Sequence, residues 1–329
     1  MTSPRFLVRG SLGYARSWAK NIVKAALGRK PYFTPHDVLF RLVLRQLCGG
    51  PKLQQITSVA ATDEGAGSQA LMTMRAIDFA RRTGLTYVHT PFSWIHHADS
   101  WSHHGPMPAW ADAWEQHFNL GEGEIRNDRD DQNMVNYAFT FPALHALFGI
   151  EETEPAFDDA TNREFRRKYD VNKYDVNKSP RRNKVLSVCV HARRRNRHDF
   201  HAEDSTDLPR LARLLARVRA VLDARGIDYT LRLFSQGPVE EFRQLGIPET
   251  ALFLDADPFW SMREMIEADV LVTTLGTFSY VAGLLCDGIV LGDASGPPAP
   301  GWLAYDAAGD LDSEALERAV TNLPSTSAR

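Results

Sequence analysis

Cysteine is scarce. Three in 329 residues, Cys48, Cys189 and Cys286, cannot build a disulfide framework. Cys189 inside an apolar strand and Cys286 near a helix end read as small core residues. No apolar run reaches the roughly 20 residues that a membrane-spanning helix needs, and the N-terminus lacks the uninterrupted apolar core of a secretory signal. A formal charge of only −3 gives no support for a nucleic-acid polymer as partner. His89, His96, His97, His103 and His104 are clustered in sequence, but their spacing gives no His-x-x-x-His pair on a recognisable helix and no Cys joins them, so zinc is disfavoured. Acidic residues are missing from the start of the chain: none precedes Asp37. A reducing, cytoplasmic setting is the expectation.

The same opening segment holds Arg5, Arg9, Arg16, Lys20, Lys24, Arg29 and Lys30. On a helical wheel Leu12, Ala15, Trp18, Ala19, Ile22, Val23 and Ala26 share one arc, with Arg16, Lys20 and Lys24 beside it. That pattern suits an interfacial helix drawn to anionic lipid at the inner membrane face, or equally a helix packed on the protein's own surface.

With 43% hydrophobic residues, the rest of the chain has apolar content for two α/β cores. The division expected is a basic extension over 1–50, a first Rossmann-like domain over 51–178 and a second over 179–329. In the first, strand Gln54–Ala61 leads through a glycine loop into a helix from Ser68 to Arg82, stopped by Gly84, and then strand Leu85–His89. Helices follow over Pro108–Phe118 and Gln132–Phe148. The charged stretch from Glu151 to Lys184 reads as a connection with a helical part around Arg163–Tyr169. Beyond it strands and helices alternate: strand Val185–Val190; a helix capped by Thr206 or Asp207 and ended by Gly226; strand Tyr229–Phe234; helix Val239–Leu245; strand Ala251–Leu254; helix Phe259–Glu267; strand Asp269–Thr273; helix Phe278–Cys286; and strand Gly288–Leu291. Such alternation means a parallel sheet with right-handed crossovers.

Two segments carry chemistry. Val190-His191-Ala192-Arg193-Arg194-Arg195-Asn196-Arg197-His198-Asp199 follows a buried strand, and in an open α/β sheet ligands bind at that carboxyl edge. Arginine forks match phosphate oxygens and keep their charge. Thr273-Thr274-Leu275-Gly276-Thr277-Phe278-Ser279 ends another buried strand just where a helix begins. Free amides at a helix N-terminus, with hydroxyls beside them, hold phosphate. Together they predict a site for a nucleotide diphosphate.

His-x-Arg-Arg after a strand, then Ala-Asp-x-Leu-Val, a Ser/Thr-rich turn and a Tyr-Val-Ala helix, resembles the GDP-fucose-dependent fucosyltransferase superfamily. Gly65-x-Gly67-Ser68-Gln69 is similar to the Gly-x-Gly-x-Gln loop of its first domain. The resemblance runs from about residue 63 to 291. It implies a GT-B fold, two Rossmann-like domains facing across a cleft, with inversion at the sugar, no cofactor and no essential metal. It places His191 against the nucleotide, Arg193 and Arg194 on the diphosphate, and Gly276, Thr277 and Ser279 around the phosphates, with Gly65, Gly67 and Gln69 alongside. The chain departs from the family after the second arginine, where Arg195-Asn196-Arg197-His198 intervenes before the acid.

The residue types suit that chemistry independently. Arginines and helix-end amides stabilise charge developing on a departing diphosphate, Arg194 foremost, and a carboxylate could take the acceptor's proton. Asp199 is the first choice, ahead of Glu203 and Asp204. Asp255-Ala256-Asp257 has the spacing of a metal-holding pair, but leading through Pro258 into a helix it suits a turn and a cap better; one of these acids could instead accept from guanine. Trp94, Trp101 and Trp110 suit stacking on an acceptor sugar. A glycan or lipid-linked saccharide is the expected acceptor.

Overall fold

The computed structural model describes residues 53–59, 64–95, 106–127, 134–150, 157–171, 185–194, 205–293 and 299–323. The basic opening segment and Asp199 lie outside the described residues. The chain is α/β. Numbering the strands β1 to β10 along the chain, a four-stranded sheet has the order β3-β2-β1-β4 and a six-stranded one the order β10-β9-β8-β5-β6-β7, and neighbouring strands run parallel in both.

The first sheet is built from β1 (Gln55–Thr57), β2 (Thr86–His89), β3 (Ile125–Arg126) and β4 (Met134–Asn136), with helices α1 (Ala66–Thr83), α2 (Met107–Phe118), α3 (Tyr137–Phe148) and α4 (Asp159–Val171) along this half of the chain. The helix expected over Gln132–Phe148 is shorter than its apolar content suggested. Asn136 ends β4 in an extended conformation and its side chain accepts from Ala138 N, so it caps α3. The same amide clamps β1's exit, accepting from Val59 N at 2.9 Å and donating to Val59 O at 2.8 Å. That strand-to-helix switch at an Asn cap is why Met134 and Val135 go to the sheet.

The second sheet holds β5 (Leu186–His191), β6 (Tyr229–Ser235), β7 (Leu252–Leu254), β8 (Val270–Val272), β9 (Ile289–Asp293) and β10 (Leu303–Tyr305). Helices α5 (Leu208–Ala224), α6 (Pro258–Ile266), α7 (Thr277–Leu285) and α8 (Ser313–Thr321) accompany it. Val239–Leu245 is a 3-10 helix rather than an α-helix. The period-2 alternation of a strand divides β5 between two layers. Val188 and Val190 join Leu211, Leu214, Leu215 and Val218 of α5, Phe242 and Leu245 of the 3-10 helix, and Leu316 of α8 in one core. Cys189 points to the opposite layer, its Sγ on Glu264 O of α6, and His191 follows it. Val188, Cys189, Val190, Val270, Leu271 and Val272 are all fully buried, as expected for central strands of a parallel sheet.

By compactness the chain forms two units, residues 1–64, 72–94 and 121–153 in one, and residues 65–71, 95–120 and 154–329 in the other. The second unit therefore includes α2 and the first turn of α1. In it, Trp110 and Trp114 of α2 pack on Phe259 of α6 with ring centroids 5.3 and 4.3 Å apart. Lys168 is buried, its Nζ donating to Leu120 O at 3.0 Å.

Candidate phosphate site at the β5–β8 switch point

Numbered within the six-stranded sheet, β5 to β10 lie in the order 3-2-1-4-5-6 from the β7 edge. The chain leaves β5 toward β6 on one side and later returns to place β8 on the other, so the order reverses between β5 and β8. That reversal opens a crevice at the carboxyl ends of the strands, the place where doubly wound sheets take ligands. Both chemistry-bearing segments end there: His191–Arg194 leaves β5 and Thr273–Gly276 leaves β8.

Two threonines pin the β8 loop. Thr273 donates through Oγ1 to Leu291 O at 3.1 Å and accepts the Tyr305 hydroxyl at 2.8 Å on its carbonyl. Thr274 Oγ1 accepts from Arg193 N at 3.3 Å and from Thr206 Oγ1 at 2.9 Å, and Thr206 N returns to Arg193 O at 2.9 Å. The β5 and β8 loops are thus stitched together by one buried hydroxyl. Gly276, at φ 106° and ψ 146°, turns the chain into α7. That positive φ strains any residue with a Cβ. A Cβ there would also lie 2.9 Å from Arg193 Nη1, so the Arg193 side chain lies directly over the entrance to α7. No side chain caps this helix among the described residues. The first-turn amides are therefore left without a side-chain cap at the positive end of the helix dipole.

Gly67 adds a second helix start. A Cβ at this position would lie 2.8 Å from Phe278 N and Cα and 2.9 Å from Thr277 C, so the first turn of α1 rests backbone to backbone on the first turn of α7. Gly65 begins α1 by accepting from Gln69 N at 3.1 Å, and the Gln69 side chain is buried. The glycine loop, Arg193, Gly276 and Thr277 are brought together within one unit.

His191 is at the same edge with its ring centroid 5.7 Å from that of Phe278. Among the described residues its Nδ1 is buried without a hydrogen-bond partner. Burial, with the Arg193 charge adding to it, pushes the imidazole down to about 4, so the ring is neutral at physiological pH. Two expected phosphate contacts sit differently. Ser279 is fully buried and its hydroxyl points back to Thr274 O at 3.5 Å. Arg194 is paired with Glu241 of the 3-10 helix, and both are partly exposed.

Further along the edge, Asp257 caps α6 by accepting from Trp260 N at 2.8 Å. Asp255 adopts a left-handed φ of 51° and faces Gly237 N at 3.4 Å. The Asp-x-Asp segment is therefore a turn and a cap. Of the tryptophans read as a sugar-stacking surface, Trp94 is exposed, but Trp110 is buried against Trp114 and Phe259; its hydrophobic face is used in packing. Trp101 lies outside the described residues, as do His96, His97, His103 and His104. His89 is buried beside the Tyr87 hydroxyl, 3.1 Å from its Nδ1.

Sequence reasoning missed Glu241, Tyr305 and the second role of Thr206. The two threonine hydroxyls that meet, Thr206 and Thr274, are 68 residues apart, and capping alone seemed to account for Thr206. It is Asp207 that caps α5, accepting from Arg210 N at 3.0 Å, which leaves Thr206 for the site.

Two parallel sheets with their helices make the chain an α/β protein built of two Rossmann-like sheets. No family model and no curated protein matches the sequence. Among solved structures the chain is similar to the Escherichia coli heptosyltransferase WaaC bound to ADP-2-deoxy-2-fluoro heptose, at 10% identity and a TM-score of 0.34, over 80% of this chain and 97% of that one. It is also similar to a Listeria monocytogenes protein assigned as a UDP-N-acetylglucosamine 2-epimerase, at 9% identity and a TM-score of 0.24, over 82% of this chain and 66% of that one.

Proposed function

We propose that the chain is a glycosyltransferase that takes its sugar from a nucleotide donor held at the β5–β8 switch point. The observation that carries this reading is the meeting of Arg193, the left-handed Gly276 and the uncapped α7 start, with the first turn of α1 resting on it. Guanidinium, uncapped helix-end amides and a glycine without a Cβ are what a diphosphate needs for close approach. These groups supply positive potential where charge develops on the leaving diphosphate. Three strand spacings of about 4.8 Å each, about 14 Å in all, separate β8 from β7, room for a nucleoside extending from the phosphates toward Gly237 and Asp255. With Asp257 committed to its helix, Asp255 is the acid available to accept from guanine.

The finer reading is fucose transfer from GDP-fucose to a hydroxyl of a glycan or lipid-linked saccharide, with inversion and without a metal. It rests on the sequence resemblance, with Arg194 on the diphosphate and Asp199 as base. In this reading the enzyme works in the cytoplasm and the basic segment 1–30 touches the inner membrane.

The test is a thermal-shift panel of GDP, ADP, UDP and CDP, followed by turnover of the corresponding sugar donor. A ligand that binds only the native state raises its stability by mass action. GDP giving the largest rise, with transfer or hydrolysis of GDP-fucose, supports the full reading. A different nucleotide in first place keeps the glycosyltransferase and replaces the donor. No rise with any of the four refutes the proposal.

A further inference from the structure

Arg194 leaves β5 next to Arg193, yet its guanidinium is paired with Glu241 rather than held at the α7 entrance. The pair joins two loops of the same sheet edge, since Glu241 belongs to the 3-10 helix Val239–Leu245 that follows β6. The two arginines differ in their surroundings. Arg193 is fixed through its backbone to Thr274 and lies against Gly276. Arg194 is held through its side chain, by a carboxylate that is 37% exposed. Glu241 can therefore return to water at small cost when Arg194 is drawn elsewhere, because an ion pair at this exposure contributes little net stability.

The fold makes Glu241 easy to move without disturbing the core. Phe242 and Leu245 anchor the 3-10 helix in the hydrophobic cluster beneath α5, and Gly246 closes it in a left-handed conformation at φ 61°. Glu241 stands on the outer side of that anchored turn. Releasing its carboxylate asks for a side-chain rotation and no backbone change.

We propose that Glu241 is a specificity-determining residue, the displaceable counter-ion of Arg194, which a second phosphate must replace before it can be bound. The inference rests on the reading of the switch point as a diphosphate site and names what regulates its affinity. A single phosphate sits on the α7 amides and Arg193 and leaves the Arg194–Glu241 pair intact. A diphosphate adds a second anionic group that competes with Glu241 for the Arg194 fork. Binding of the second phosphate is weakened by the carboxylate it displaces, and product release is assisted when Glu241 takes Arg194 back. Glu241 thus sets how much more tightly a diphosphate binds than a monophosphate.

Four probes separate the parts: GDP and GMP, with inorganic pyrophosphate and orthophosphate as base-free controls, titrated by calorimetry against the full-length chain. Glu241→Gln removes the charge and keeps the shape. It is expected to tighten GDP and pyrophosphate by about 3- to 5-fold, the upper end of what a partly exposed ion pair contributes, and to change GMP and orthophosphate less than twofold. In an Arg194→Met background the same substitution is expected to change nothing. Unchanged or weakened GDP in Glu241→Gln overturns the proposal, and so does a gain that persists without Arg194. If Arg193→Met abolishes GDP binding while Glu241→Gln is neutral, the site reading stands and the counter-ion does not. If none of the four probes binds the wild-type chain, both fall. Circular dichroism of each variant confirms that a null result is not unfolding.

Discussion

Replacing Gly67 with alanine tests the contact between the two helix starts, because two effects oppose each other there. Gly67 lies inside α1, and in an exposed helix interior Gly→Ala stabilises by about 1 kcal/mol. Here the new methyl would sit 2.8 Å from Phe278 N and Cα and 2.9 Å from Thr277 C. All three are backbone atoms of α7, so no side chain can swing aside to relieve the contact. Opening the two helices by a few tenths of an ångström disturbs packing at the Phe278 ring, which touches His191 and Trp114 at 5.7 and 6.2 Å between centroids. Overpacking of this kind costs about 1–3 kcal/mol, enough to reverse the propensity gain. The expected outcome in urea denaturation is a net loss of about 0–2 kcal/mol with an unchanged m-value. Weaker pyrophosphate binding should accompany it. Ser68→Ala, one residue on, serves as the control and should stay within about 0.5 kcal/mol of wild type. A Gly67→Ala protein that is about 1 kcal/mol more stable and binds phosphate normally would refute the close approach.

His191 is neutral when folded but protonates near its ordinary value when unfolded, so between about 6.5 and about 4 the unfolded state holds more protons. Stability should therefore fall as pH drops through that window, by up to about 3 kcal/mol, and His191→Gln should flatten the fall; equal acid sensitivity of the two in pH-dependent urea melts counts against the buried imidazole. Thr206→Val removes the hydroxyl that bridges to Thr274 and should cost about 1–2 kcal/mol, with phosphate affinity reduced as the β5 and β8 loops loosen; a stability loss without an affinity change would limit Thr206 to the core. Asp257→Ala should cost about 1 kcal/mol, the usual loss of an N-cap, measured by thermal unfolding, and should leave GDP binding near wild type.

How much of this was legible in the sequence depended on the range of the interactions. The central strands β5 and β8 were readable because burial on both faces leaves an unbroken apolar run. Their following loops, His191–Arg194 and Thr273–Ser279, were readable as one edge because alternation in a parallel sheet fixes which ends face the same way. The Asp257 cap was local as well. What was missed is tertiary. The strand β4 was absorbed into a helix because Asn136 acts over two elements at once, as α3's cap and as the clamp on Val59. The extreme shortness of β3, Ile125–Arg126, gives no periodicity to find. Val239–Leu245 was placed but takes the tighter 3-10 form. Glu241, Tyr305 and Thr206 reach the site from loops and strands tens of residues away, and a side-chain pairing over that distance leaves no pattern in spacing. The glycine pair was noticed as a loop motif, whereas its structural reason, a backbone approach to Phe278, became visible only with the fold.

The most direct test of the account is a crystal structure of the full-length chain with GDP bound. The account predicts phosphate oxygens within about 3 Å of the first-turn amides of α7 and of the Arg193 guanidinium, the usual reach of charge-assisted hydrogen bonds, with the glycine loop of α1 alongside. A diphosphate bound elsewhere, leaving the crevice between β5 and β8 filled only by solvent, would contradict it.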